Sequence, residues 1–233
     1  MSAHTSTELN GLNPTEGITM PLATFVAVST QDKTQEILTR AQVAARLELH
    51  LAAVDKLIRA GILTAPFSAS QIGVLASRQW LQVAEGELTV LRTDARADAY
   101  RDEGDSRAYI GFHTEHSDHE LEETSLRWWR SDPERVIDNE LFAVTVGTFP
   151  VALYRVTGRL ETKIRDDEDR PRHRYEGQLL ARVHPGMQTT FAKDMPGYLR
   201  ERAAQVMNSR IVVNSGGPIG YLDANISKEG GRR

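Results

Sequence analysis

The sequence of 233 residues contains no cysteine. This absence excludes disulfide bonds and zinc sites built from thiolates. The sequence also has no apolar run of membrane-spanning length and no basic-then-apolar signal pattern. We therefore expect a cytoplasmic protein without a membrane partner. No Rossmann, P-loop or nucleophile-elbow motif is present, so we expect no bound cofactor.

Positive charge is also in short supply. The 28 Lys and Arg residues face 32 Asp and Glu residues, and the formal net charge is −4. This balance argues against non-specific wrapping of nucleic acid, because phosphate contacts need local cations. The remaining composition, 40% hydrophobic and 26% charged, is typical of a globular protein. The length is sufficient for one large domain or two small ones.

A strong helical pattern is present over residues 39–63. Thr39 is followed three residues later by Gln42, which predicts a capping box, and apolar residues then recur at helical spacing. A second apolar stripe ends at Gly61, where glycine can adopt a left-handed C-cap. We predict two short helices joined by a tight turn, a unit that commonly places its second helix in the DNA major groove.

Residues 39–63 resemble the helix-turn-helix of the MerR and excisionase type. The resemblance implies double-stranded DNA as the partner. It also implies that the side chains facing the groove are those of His50, Ala52, Ala53, Lys56 and Arg59. The sequence departs from the usual pattern at the two alanines and at Asp55, because alanine cannot donate a hydrogen bond to a base. No basic hairpin follows the second helix. A helical pair that only packs, or that binds another protein chain, is the alternative interpretation.

Charge within residues 39–63 is locally positive. Four basic residues, which include Arg40, outnumber two acidic ones. We therefore add Arg40 to the candidate DNA contacts. We predict a non-enzymatic bacterial or phage transcription regulator. We also expect a homodimer, because two such helices about one DNA turn apart reach adequate affinity together.

The expected fold class is α+β, with an N-terminal helix-turn-helix module followed by a mainly antiparallel β-meander or small barrel with flanking helices. The first module includes a predicted hairpin that turns at Glu85-Gly86 between strands 80–83 and 88–92. The predicted divisions of the chain are a disordered tail 1–20, the module 21–94, a linker 95–107, the antiparallel α+β domain 108–226 and a tail 227–233.

In the second half, Ser117 and Glu120 predict a capping box for a helix that continues to Arg130. Asp132-Pro133 predicts the start of another short helix. Alternating segments at 141–146, 151–157, 160–164, 172–175 and 179–183 predict the meander. A closing hairpin is expected between 211–213 and 219–222. In outline, the Trp-Trp-Arg segment before the meander is similar to PUA-like small barrels, which often bind modified bases or RNA.

Arginines flank the tryptophan pair in Arg127-Trp128-Trp129-Arg130. Aromatic rings beside guanidinium groups can stack bases, so Arg127, Trp129 and Arg130 are candidate nucleic-acid contacts. Neighbouring residues of a helix point about 100° apart, which indicates that one tryptophan lies in the core and the other near the surface. Two core tryptophans are the alternative.

Two further segments carry possible chemistry. His113, His116 and His119 are close enough in sequence to suggest a metal site, and a metal-dependent nucleic-acid-processing enzyme is therefore an alternative function. Their spacing does not match a known metal motif, and solvated histidines near a helix start are favoured. The run 165–174 has an acidic centre and is interpreted as an exposed loop between strands, a solvated hairpin tip. Its basic end, 170–174, can contact phosphate if the loop lies on a binding face.

Overall fold

The computed structural model describes residues 36–99, 106–164 and 169–224. These residues contain six α-helices: α1 (Arg40–Leu47), α2 (Leu51–Arg59), α3 (Ala69–Ala76), α4 (Asp118–Ser125), α5 (Pro133–Asp138) and α6 (Gly197–Met207). They also contain ten strands: β1 (Ile37–Leu38), β2 (Phe67–Ser68), β3 (Glu87–Thr93), β4 (Ala97–Asp98), β5 (Tyr109–Ile110), β6 (Leu141–Val146), β7 (Phe149–Lys163), β8 (Arg172–His184), β9 (Gln188–Phe191) and β10 (Ile219–Asp223).

A curled six-stranded sheet is the centre of the fold. Its strand order is β10-β3-β6-β7-β8-β9, and only the β3–β6 pair is parallel. The predicted α+β class and the antiparallel meander from β6 to β9 are confirmed. The two outer strands, β10 and β9, each have one neighbour, so the described strands form an open sheet rather than the small barrel that was one of the two predicted forms.

The predicted hairpin at Glu85-Gly86 is wrong. β3 pairs with β10 on one side and with β6 on the other, and residues 80–83 form no strand. The physical reason is that β3 is a central strand in which Val90 and Leu91 are fully buried. A continuous apolar run of this kind is typical of a strand covered on both faces. The predicted closing hairpin is also wrong, because residues 211–213 are not a strand and β10 pairs with β3.

The second half of the meander is longer and less interrupted than predicted. Segments 151–157 and 160–164 join into β7, which has 15 residues, and segments 172–175 and 179–183 join into β8, which has 13. Shifts in the β7–β8 pairing register lie between Val156 and Gly158 and between Arg159 and Glu161. Such irregularities bend a strand without ending it. Gly158, between the two predicted segments, therefore lies within a continuous strand.

Helix caps account for most of the predicted helix starts. The capping boxes at Thr39 and Ser117 are both present, and Asp132 accepts a hydrogen bond at the start of α5. The spacing of Ser68 and Gln71 predicts a third capping box, at the start of α3. α3 forms, but this capping box is wrong, because the Ser68 side chain makes no capping hydrogen bond and contacts the Ser70 hydroxyl at 2.8 Å. α4 ends at Ser125 rather than at Arg130. Beyond this end, the backbone of Trp129 exchanges two hydrogen bonds with that of His173.

Several predictions concern residues outside the described ranges. They are the tail 1–20, the tail 227–233, and residues 100–105 of the linker. Residues 97–98 of the same linker form β4, which pairs with β5. The predicted domain limits remain predictions, although β3 shares its sheet with strands from the second predicted domain. None of the helices in the described part of the chain has the length and apolar character that crossing a bilayer requires.

Candidate nucleic-acid interfaces

The face of α2 that was expected to contact DNA is open to solvent. His50, Ala52 and Arg59 are exposed, and Ala53 and Lys56 have intermediate exposure. The opposite face of the helix is the buried one, with Val54 and Leu57 at 0% exposure. This amphipathic arrangement holds the helix by its apolar stripe and leaves the predicted contact face available.

Carboxylates neutralise most of the positive charge around this face. Lys56 Nζ lies 2.5 Å from Asp94 Oδ1, and Arg40 Nη1 lies 2.9 Å from Asp55 Oδ1. Arg59 has no ion pair with any of the described residues, although it is exposed. The helical pair is therefore accessible, but its cations are largely compensated.

Hydrogen bonds from other parts of the fold fix the ends of α1 and α2 in place. We use the name strap for residues 111–117, the segment between β5 and α4. Within the strap, the Thr114 amide donates to Ala60 O at 3.0 Å, and the Thr114 hydroxyl donates to Gly61 O at 3.3 Å. At the end of α1, Arg210 Nη2 donates to Leu47 O at 2.8 Å. These bonds satisfy backbone carbonyls at the C-terminal ends of α1 and α2, which have no partner within their own helix.

The three histidines do not converge on one point. His116 is buried, and its ring is stacked on that of Tyr109 with centroids 5.7 Å apart. The His113 ring centroid is 6.4 Å from that of His116, whereas His119 is exposed on α4. Within the described ranges, no group of three or more histidine and carboxylate side chains is arranged to hold a metal ion. The low-priority metal prediction at these residues is therefore not supported.

Burial dominates the electrostatics of His116. The pKa of His116 is lowered to about 4, mainly by desolvation. Glu120 opposes this shift, and the positive charges of Arg96 and Arg182 add to it. Both ring nitrogens lack a hydrogen-bond partner in the structure. His116 is thus a neutral, packed side chain of the strap, and the prediction of a solvated histidine near the helix start is wrong for it, because it is 2% exposed.

The Arg127–Arg130 segment separates into buried and accessible residues. Arg127 is 7% exposed and forms an ion pair with Glu123, so the prediction that it contacts nucleic acid is wrong. The cause is its location just beyond the end of α4, where its guanidinium folds back onto the preceding turn. Trp128 is buried, and Trp129 has intermediate exposure, in agreement with one core and one near-surface tryptophan.

Trp129 and Arg130 line a concave site of about 930 Å³, which we call the arginine groove. Its lining consists of residues 129–131, 169–172 and 216–219. Among the described residues, this lining includes three arginines, Arg130, Arg170 and Arg172, and one acidic residue, Asp169. The described part of the groove therefore combines guanidinium groups with an aromatic wall.

Hydrogen bonds hold the walls of the arginine groove in place. The Trp129 indole N–H donates to Ser125 O at 2.6 Å. On the opposite wall, Arg92 Nη2 donates to Ser215 O at 2.7 Å and also to Gly217 O. An added Cβ on Gly216 or Gly217 would meet no atom within 4 Å, so this wall faces open space.

The sequence indicated the parts of the arginine groove but not their assembly. Arg130 and the basic segment 170–174 were candidates for separate reasons, and Gly216 was interpreted only as part of a turn. Asp94, the partner of Lys56, was missed altogether. No local signal identifies these contacts, because each joins residues that are far apart in the chain.

Comparisons of the chain with protein-family models, with curated proteins and with solved structures give no match.

Proposed function

We propose that the protein binds double-stranded DNA through α2, as a non-enzymatic regulator that acts as a homodimer. One observation carries the proposal: the predicted contact face of α2 is accessible while its apolar face is buried. Arg59 and Lys56 supply the cations of this face, and His50 supplies a polar group at the start of the helix. The resemblance of residues 39–63 to the MerR and excisionase type supports the same assignment.

The strap supports the proposal because it fixes the position of α2. A recognition helix reads a groove well when its own position is fixed, because each immobilised contact then costs less entropy on binding. The hydrogen bonds from Thr114 to Ala60 and Gly61 fix the end of α2 near Arg59. The alanines at positions 52 and 53 allow close approach and contact with thymine methyl groups.

The test is a salt-dependent binding curve on a labelled duplex. The double variant Lys56→Ala/Arg59→Ala should bind about tenfold more weakly, and the slope of log K against log salt should fall by roughly one to two. The matched control is Lys193→Ala/Arg202→Ala, which removes the same charge near α6. Equal binding by the parent and the Lys56/Arg59 variant would exclude α2 as the reader.

A protein interface on the same face is the second candidate, and one observation favours it. Leu51, at the start of α2, is 54% exposed, and an exposed leucine next to two alanines suits an apolar contact. Light scattering of the Leu51→Glu variant without nucleic acid tests this candidate. Loss of self-association with intact duplex binding would assign Leu51 to the dimer contact, whereas unchanged association would remove this candidate.

A further inference from the structure

We propose that a pocket beside α3 binds a small apolar carboxylic acid, with its hydrocarbon part against apolar walls and its carboxylate on Arg78. We call this site the apolar pocket. Its volume is about 410 Å³, which is within the range of small-molecule sites in proteins. The predicted DNA contacts of α2 lie outside its lining, so the proposal goes beyond duplex binding.

Three segments of the chain form the walls of the apolar pocket. The lining residues lie within 62–67, which follows α2, within 71–78, from α3 and the turn after it, and within 185–187, between β8 and β9. Ile62, Ile72 and Leu75 are buried, whereas Val74 is 65% exposed and marks the rim. A concave lining of this kind favours a ligand with a hydrocarbon part, because binding removes apolar surface from water.

Arg78 is the feature that indicates an anion. Among the described residues of the lining, it carries the only charge. Its Nη1 donates to Met207 O at 3.0 Å, and its Cζ lies 6.0 Å from the centre of the Phe149 ring. In the part of the chain that the structure describes, Nε and Nη2 make no hydrogen bond and no carboxylate pairs with the guanidinium.

Burial lowers the pKa of Arg78, which shows that its charge is partly desolvated. A partly desolvated cation without a counter-ion is stabilised by an anion that hydrogen-bonds to it. The planar fork of one guanidinium matches the two oxygens of one carboxylate. The ligand that fits both the charge and the walls is therefore an apolar monocarboxylate.

The neighbouring surface suits the polar end of such a ligand. Arg78 and Val74 also line a second, more open concavity of about 600 Å³. Its other described lining residues are mainly polar and uncharged, and they include Gln79, Gln205 and Asn208. A ligand whose hydrocarbon part fills the apolar pocket would place its carboxylate at the border between the two sites, at Arg78.

The experiment is calorimetric titration of the full chain at neutral pH with octanoate, acetate, 1-octanol and octylamine. Acetate lacks the hydrocarbon part, 1-octanol lacks the charge, and octylamine reverses it. Binding of octanoate at least about tenfold tighter than that of each other probe supports the proposal. A smaller difference from any of them, or no binding of octanoate, overturns it. Octanoate binding that weakens as the protein concentration rises would mean that a second copy of the chain covers the pocket, which also overturns the proposal.

The variant Arg78→Gln tests the charge. It should weaken octanoate binding at least about tenfold and change 1-octanol binding by less than about twofold, because only the carboxylate requires the guanidinium. Arg200→Gln is the matched control: Arg200 Nη2 donates to Ala192 O at 2.8 Å, and its Cζ lies 6.0 Å from the centre of the Phe191 ring. Equal losses of octanoate binding in the two variants overturn the proposal. Duplex binding by Arg78→Gln should stay within about twofold of that of the parent, so the two proposed sites can fail separately.

The variant Val74→Glu tests the pocket without removing the arginine or its bond to Met207. A carboxylate at this exposed rim repels the ligand and competes for Arg78, so octanoate binding should weaken at least about tenfold. Val212→Glu is the matched control, because Val212 is an exposed valine outside the lining. Octanoate binding by Val74→Glu that equals that of the parent, or a loss that is equally large in Val212→Glu, overturns the proposal.

Discussion

The predicted contact face of α2 and the arginine groove differ in the side chains around their cations. Around α2, carboxylates lie within 3 Å of Arg40 and Lys56. Among the residues that the structure describes, the lining of the groove holds three arginines, one aspartate and the partly exposed Trp129. The difference teaches that a helical pattern readable in the sequence can lie where the fold compensates its cations.

The two regions also differ in how tightly the backbone is enclosed. Gly61, at the end of α2, has φ +71°, and an added Cβ there would lie 2.3 Å from Thr114 Oγ1. Gly216 in the arginine groove has open space in the same direction. The end of α2 at Gly61 is thus closely packed against the strap, whereas the groove wall at Gly216 has open space beside it.

The largest expected effect follows from this contrast. Gly61→Val should lower the free energy of unfolding by about 4 kcal/mol, because a branched residue is strained at positive φ and also collides with Thr114. Gly216→Val should change it by less than about 0.5 kcal/mol. Urea denaturation measures both values. Similar losses in the two variants would mean that the helical region is no more enclosed than the groove.

A second effect concerns the protonation of the strap. Since burial lowers the pKa of His116 to about 4 from its usual 6.5, the unfolded chain binds a proton more readily than the folded one. The contribution of His116 to the free energy of unfolding should therefore be constant above pH about 6.5 and should fall as pH decreases from 6.5 towards 4. The total loss is about 3 kcal/mol.

Urea denaturation across this pH range tests the assignment to His116. His116→Leu should flatten the acid side of the profile, because the group that titrates is removed. His119→Leu is the matched control, since His119 is exposed on α4. A profile that keeps its slope in His116→Leu and loses it in His119→Leu would place the titrating group outside the strap.

A third and smaller effect tests the start of the helical pair. Thr39 caps α1 through its side chain, and Gln42 bonds back to the Thr39 amide at 2.8 Å. Thr39→Ala should therefore cost about 1 kcal/mol of stability. The neighbouring change Arg40→Gln breaks only an exposed ion pair and should cost less than about 0.5 kcal/mol. Thermal unfolding at neutral pH compares the two, and a larger loss in Arg40→Gln would contradict this ranking.

Local signals predicted the parts of the structure that depend on neighbouring residues. The caps at Thr39 and Ser117, the turn at Gly61 and the meander from β6 to β9 all follow from spacing over a few residues. These features are present in the structure because their energetics are short-range.

Long-range pairing could not be predicted in the same way. Glu85-Gly86 predicts a hairpin that pairs β3 with residues 80–83, yet the partners of β3 are β6 and β10. The arginine groove likewise unites Trp129, Arg170 and Gly216, which are separated by tens of residues. The Lys56–Asp94 ion pair has the same origin. The sequence alone does not show that the charge of Lys56 is compensated, because only the fold brings Asp94 near it.

The smallest effect addresses this compensation directly. If Asp55 and Asp94 hold Arg40 and Lys56 away from phosphate, the double variant Asp55→Asn/Asp94→Asn should bind duplex DNA about fivefold more tightly and with a steeper salt dependence. Its stability should change by less than about 1 kcal/mol, since both ion pairs are partly exposed.

The matched control is Asp194→Asn/Glu201→Gln, which removes the same negative charge from exposed positions next to and within α6. Fluorescence anisotropy with a labelled duplex measures both variants. An equal gain in the control would attribute the effect to net charge alone, and no gain in either would mean that the carboxylates do not limit binding. A gain confined to Asp55→Asn/Asp94→Asn would show that the α2 face has the cations for duplex binding but holds them in ion pairs.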